Sequence, residues 1–240
     1  MAIWIIFRRE ITFFLTTPFA YAIAAALLLL TGVLFNYDLN ASFSTKPADA
    51  TLVPTLLSFA MIFFAPLLTM RMFAEERREG TMELLLTAPV NESSIVIGKF
   101  LSAWTYFTLV LLITLIYPII LTTITEPDLG MSLSAYIGIW LYGGTTLAVG
   151  MVFSSLTENQ IVAAFLGMIA LLLLWLADQA GQIITNIPIA VVIRLLSFQG
   201  HFSSSFAVGL IRLEDVIFFT GITVVMLYIT IQIVESQRWR

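Results

Sequence analysis

The chain has 240 residues, of which 60% are hydrophobic and only 11% charged, with a net charge of −4. A soluble domain carries about 25% charged residues, so this composition belongs in a bilayer and excludes both a separate soluble core and a basic nucleic-acid-binding face. The absence of cysteine excludes disulfides, thiolate metal sites and cysteine nucleophiles.

The first segment, residues 1–17, reads as an amphipathic helix. Trp4, Phe7, Ile11 and Phe14 recur at spacings of three and four, with Arg8, Arg9, Thr12 and Thr16 on the other side. Such a helix lies at the headgroups. Thr17-Pro18 then breaks it, and Pro18 opens the first span. The alternative is one long tilted helix over residues 3–36. A cleaved signal peptide is not expected, because the apolar run is too long and no Ala-x-Ala-type site follows it.

A span needs about 20 mainly apolar residues. Six stretches qualify: residues 18–36, 52–73, 97–123, 133–153, 161–177 and 213–234. Pro118 falls near the outer end of the third, where a freed carbonyl still finds water. Between the fourth and fifth, Ser155-Leu156-Thr157-Glu158 has the spacing of a capping box that starts the fifth helix at once. Residues 181–212 precede the last span and are long and largely apolar. Within them, residues 187–196 are too short to span and carry Arg194, so they read as a re-entrant or interfacial helix. The alternative, a seventh span, would put Arg194 near the hydrocarbon centre. The expected fold is therefore an all-α integral membrane protein of one domain, residues 1–240. It has six transmembrane helices, an N-terminal interface helix and external short helices before the last span.

Six spans place both termini on one side. If that side is the cytoplasm, the inner basic residues are Arg8, Arg9, Arg71, Arg77, Arg78, Lys99, Arg238 and Arg240, against Lys46, Arg194 and Arg212 outside. The positive-inside rule selects this orientation. Residues 74–96 are then the largest inner loop. Gly80-Thr81 is a natural break and helix start, Met82, Leu85 and Leu86 make an apolar face, and Pro89 ends the helix. A short amphipathic helix on such a loop either enters a groove on a partner or lies in the headgroups.

The stretch Glu76-Arg77-Arg78-Glu79-Gly80-Thr81-Met82-Glu83-Leu84-Leu85-Leu86-Thr87-Ala88-Pro89, followed by Gly98-Lys99, resembles the cytoplasmic loop of ABC-2 type transporter permeases. Residues 154–163 and 202–219 are similar to the gliding-motility-associated branch of that family, and Arg9-Glu10 and Pro18-Phe19-Ala20-Tyr21 agree. The resemblance covers nearly the whole chain. It implies a permease subunit of an ATP-driven transporter, an exporter, in the bacterial cytoplasmic membrane. Its motifs do not fix the substrate, but spans nearly free of charge suit an amphiphilic or lipid-linked one. The positive-inside count puts both termini inside. The resemblance also implies a separate ABC ATPase dimer that uses the ATP and Mg, and a second permease subunit, the same or related. On this reading residues 81–89 form the coupling helix. Glu76, Gly80, Thr81, Glu83, Leu85 and Pro89 carry the coupling to the ATPase, and Arg8 and Arg9 form a second contact surface.

No Gly-x-x-x-x-Gly-Lys-Ser/Thr stretch occurs in the chain, so it carries no phosphate loop of its own. Gly144 and Ala148, and Thr146 and Gly150, are spaced by four on the fourth span. Such residues suit helix packing, between two subunits or within one chain. The rival class is an intramembrane hydrolase or protease acting without ATP. Glu75-Glu76 resembles the paired glutamates of membrane-embedded CAAX-type proteases, but a metal site with His201 alone and no Cys is not expected. A Ser132–His201 pair lacks the glycine that should follow the serine, since Leu133 stands there. His201 reads instead as a wet loop residue that hydrogen-bonds locally. An ion channel is disfavoured, because charges lie at the span ends.

Overall fold

The structure, a computed structural model, describes residues 2–42, 49, 51–82, 90–124, 126–184 and 186–237. The described residues build a helical membrane bundle. In chain order these are α1 (Ala2–Thr16), α2 (Pro18–Ser42), α3 (Leu52–Thr69), α4 (Arg71–Arg78), α5 (Glu92–Thr114), α6 (Ile116–Ile124), α7 (Leu129–Leu156), α8 (Gln160–Ile183), α9 (Ile187–Leu195), α10 (Phe198–Ser204), a 3₁₀ turn (Phe206–Val208) and α11 (Leu213–Gln237). Six runs are long and apolar enough to cross a membrane: Pro18–Asn40, Leu52–Arg78, Glu92–Ile124, Leu129–Leu156, Gln160–Ile183 and Leu213–Gln237.

α7 is the central post, packed against α3, α5, α8 and α11. Its small residues let neighbours approach. A side chain at Gly138 would run into Phe206, and one at Gly150 would meet the Thr69 hydroxyl of α3. Thr145 donates to the Phe219 carbonyl at 3.0 Å and ties the post to α11. The outer crossings α2, α5, α8 and α11 leave most of their apolar surface outward. In a bilayer that surface faces lipid.

Several boundaries differ from the sequence reading for local physical reasons. The second crossing runs on through Met70 into α4 and ends at Arg78, so residues 74–78 are helix and not loop. No proline or glycine occurs between Met70 and Gly80, and Arg71 supports α4 by pairing with Glu75 one turn on. The third crossing is two helices that meet at Leu115, with Pro118 in the first turn of α6, where its missing N–H costs nothing. The fifth crossing is not started by a Ser155–Glu158 capping box. Ser155 is still inside α7, and the Asn159 side chain accepts from the Ile161 and Val162 amides. α9 is nine residues, about 13 Å at the helical rise. That length cannot cross a core of about 30 Å. It folds back on α8, with the Arg194 stem over Gly181.

α1 is a separate helix packed mainly on α5. Its buried face is Ile6, Glu10 and Phe14, not the expected Trp4–Phe7–Ile11–Phe14 stripe, and Trp4 is 65% exposed. The rotation brings Glu10 inward, to a partner described below. Phe14 stacks on Tyr106 of α5 at 5.3 Å, and the Tyr106 hydroxyl donates to the Ala20 carbonyl at 2.8 Å. The elbow between α1 and α2 is thereby fixed to the third crossing.

Candidate functional site

Lys99 lies in the second turn of α5 and is the most deeply buried charge of the site, its side chain 1% exposed. An uncompensated ammonium there would be prohibitively costly. It is compensated from two directions. Its Nζ lies 3.1 Å from Glu10 Oε1 on α1 and 3.0 Å from Glu76 Oε1 on α4. Arg9 closes the group, donating to Glu76 Oε1 at 2.7 Å and to Glu10. Two cations and two carboxylates thus form one balanced quartet joining α1, α4 and α5. Exposure is graded outward, from Lys99 through Glu10 (10%) and Glu76 (17%) to Arg9 (49%). Burial would push the Glu10 carboxyl up, but the Lys99 ammonium, aided by Arg9, outweighs it and holds the group below the usual carboxylate range.

Gly98 makes this contact possible. A Cβ there would sit 2.9 Å from Ile6 Cγ2 and 3.1 Å from the Ile3 carbonyl, so only glycine lets α1 lie so close to α5. The Gly98-Lys99 pair therefore works as a unit: the first residue admits the helix and the second binds its carboxylate.

The C-terminal end of α4 is anchored separately. Arg77 donates to the Ser155 carbonyl at 3.0 Å and lies 3.6 Å from Glu158, which ties α4 to the end of α7. The Gln237 amide donates to the same carbonyl, also at 3.0 Å, adding α11. The quartet itself borders a partly open cavity of about 460 Å³ between α1, α2, α3, α4 and α5, whose lining also includes Phe13, Phe19, Arg71 and Glu75. Arg71 donates through Nε and Nη2 to Glu75, with its guanidinium over both rings.

Among the expected coupling residues, Glu76 and Arg9 meet in the quartet. Gly80 ends α4 with φ +70°, and a Cβ there would meet nothing within 4 Å, so the backbone angle is what requires glycine. Thr81 is exposed and donates to the Glu76 carbonyl at 3.2 Å. Arg8 is exposed on α1 and is not part of the quartet. Glu83, Leu85 and Pro89 lie outside the described residues. The four small residues of α7 pack within the chain: Gly144 against Trp104, Gly150 against Thr69, while Ala148 and Thr146 are buried and Thr146 donates to the Gly143 carbonyl.

His201 is not a wet loop residue. It lies on α10, its Nδ1 against Asp215 Oδ1 and its Nε2 3.1 Å from the Leu195 carbonyl, with the ring stacked on Phe218 at 3.8 Å. Both ring nitrogens face these acceptors, so the ring is not aimed at Ser132, which is buried at the start of α7. Sequence reasoning missed Glu10, Lys99 and Asp215 as partners. Glu10 did carry a signal: it stands four residues from Ile6 and from Phe14, an acid inside an apolar stripe, and such an acid needs a buried cation.

The family described as ABC-2 family transporter protein has a sequence model that matches residues 34–234. A Pseudomonas aeruginosa protein described as a probable ABC transporter permease protein, NosY, is 28% identical over 160 residues, covering 64% of this chain. The match spans 57% of that relative's length.

Proposed function

We propose, on the premise that this chain belongs to the ABC-2 transporter family, that it is the membrane permease subunit of an ATP-driven transporter and works as an exporter of an amphiphilic or lipid-linked cargo. As a member of that family it is a multi-pass membrane protein and a transport subunit, without a catalytic step of its own.

In this reading both termini and the connection between the second and third crossings face the cytoplasm of a bacterial inner membrane. A separate ABC ATPase pair binds and hydrolyses the ATP, with its Mg, and grips residues 81–89. Glu76, Gly80, Thr81, Glu83, Leu85 and Pro89 transmit its movement, and Arg8 and Arg9 flank the contact. A second permease subunit, the same or related, completes the pathway. The finer likeness to gliding-motility-associated permeases rests on residues 154–163 and 202–219 and names a branch, with no cargo attached.

One observation carries the proposal. α4 continues the second crossing, ends at the Gly80 break, and is joined through Glu76 to Lys99 of the third crossing and to Arg9 of α1. A push on the loop beyond Gly80 therefore reaches α1 and two crossings at once. The amphiphilic cargo is supported by the placement of charge: ionisable side chains of the described crossings gather toward their ends, leaving apolar middles.

The test is co-purification of the chain with its ATPase in wild-type form and as Glu83→Lys. The variant should insert normally and lose the ATPase and its transport. Retained ATPase and normal transport would contradict the coupling assignment, and turnover of a substrate by the chain alone, without ATP, would contradict the whole reading.

A further inference from the structure

α3 and α4 are a single crossing with a joint in it. Met70 stands between them with helical backbone angles (φ −55°, ψ −31°), so the chain continues in the same sense but the helix is interrupted. Three bending agents gather within two turns. Pro66 lies inside α3 and offers no amide to the ladder. The Thr69 hydroxyl donates back to the Ala65 carbonyl at 2.8 Å, an arrangement that bends helices. The third agent comes from another helix. The Ser154 hydroxyl of α7 accepts from the Phe73 amide at 3.1 Å and the Ala74 amide at 3.3 Å, and donates to the Met70 carbonyl at 3.0 Å. A side chain set into the backbone ladder is an established cause of a kink. All three of its backbone partners flank the joint, and Ser154 is fully buried.

The two sides of the joint are held differently. Above it, α3 is wedged against the central post, with Thr69 on Gly150 and Pro66 on Gly167 of α8. Below it, only the first turn of α4 is packed, with Met72, Phe73 and Ala74 buried, and the rest is held by polar contacts, Arg9 and Lys99 on Glu76 and Arg77 toward Glu158. Close packing of this kind has no intermediate positions, so α4 can swing relative to α3 only together with the parts of α1 and α5 that the quartet ties to it. From this we infer that Ser154 is the pin of a hinge: a positioning residue that holds the backbone groups at Met70, Phe73 and Ala74 satisfied while α4 swings relative to α3. A hydroxyl suits this role because it both donates and accepts and can rotate as the amides move. The inference rests on the proposed function, since the swing of α4 is what the ATPase would drive.

The experiment uses the complex with its ATPase. The chain has no cysteine, so spin labels at Arg78→Cys on α4 and Leu129→Cys at the far end of α7 report the lever against the post. In the otherwise unsubstituted chain, a non-hydrolysable ATP analogue should change the label distance. Ser154→Ala should lose that nucleotide-driven change while the ATPase stays bound and active, and Ser154→Thr, which keeps the hydroxyl, should restore it. If Ser154→Ala does not accumulate, Ser154→Thr and Ser154→Val have one shape and differ in the hydroxyl, and only the first should show the change. An unchanged displacement in Ser154→Ala or Ser154→Val would overturn the hinge pin and leave the transporter reading standing. No displacement in the Ser154 parent would instead count against the transporter reading.

Discussion

The Lys99 ammonium lies 3.0 Å from Glu76 Oε1, and this contact joins the N-terminal part of the third crossing to the helical extension of the second. The pair is not isolated, because Glu10 shares the same ammonium from α1. Its consequence is mechanical as well as electrostatic: three helices cannot move independently while the group is intact.

Replacing Lys99 by Met should therefore be among the most damaging single changes in the chain. It leaves two carboxylates with one half-exposed arginine, and breaking a buried pair of this kind costs about 3 to 5 kcal/mol. Thermal unfolding in detergent should show a large drop in midpoint. Lys99→Met combined with Glu10→Gln should recover part of the loss, because the orphaned charge is removed; a double variant as unstable as the sum of both changes would contradict a shared charge group.

Glu10 sets a pH dependence. Burial pushes its carboxyl up, but Lys99 and Arg9 together outweigh that and hold it below the usual range. A carboxyl depressed by folding stabilises the protein above its unfolded value, about pH 4.3, and that contribution fades as the pH falls through the folded value. Stability measured between pH 7 and pH 3 should decline below that point, and Glu10→Gln should show a shallower decline with a lower starting stability at neutral pH.

Gly98 predicts a steric effect. A Cβ at that position meets the Ile6 side chain at 2.9 Å and the Ile3 carbonyl at 3.1 Å. Gly98→Val must push α1 away, at a cost of about 1 to 3 kcal/mol. Limited proteolysis should then cut α1 free faster than in the parent, with the six crossings still inserted.

His201→Ala should loosen the cap before the last crossing. It strips the buried Asp215 carboxylate of its imidazole partner, and Asp215 Oδ2 already has no hydrogen-bond partner among the described residues. A loss of about 3 kcal/mol or more follows from orphaning such a group. Proteolysis within residues 184–212 should accelerate, while residual ATP-dependent transport persists; an enzyme built on this histidine would lose all activity.

Much of this architecture was legible because it is written in long apolar runs. The six crossings followed from length alone, and Gly80 announced its break through its type. The quartet was legible only by halves. Arg9, Glu76 and Lys99 stood out as charges near the span ends, but their meeting depends on how α1 rotates, and Gly98 decides that rotation through a contact 92 residues away from Ile6 in sequence. The hinge was hidden for the same reason. Nothing in the local pattern around Ser154 says that its hydroxyl serves the backbone of another helix. His201 was misread because its partner Asp215 lies beyond a turn whose path follows from the left-handed Gly209 (φ +86°).

The account stands most directly on which side of the membrane the end of α4 occupies. Glu79 is exposed at that end, and Glu79→Cys would be the sole cysteine of the chain. In intact cells a membrane-impermeant maleimide should leave it unlabelled, and permeabilisation should make it react fully. Labelling of Glu79→Cys in intact cells, at the level seen after permeabilisation, would contradict the account.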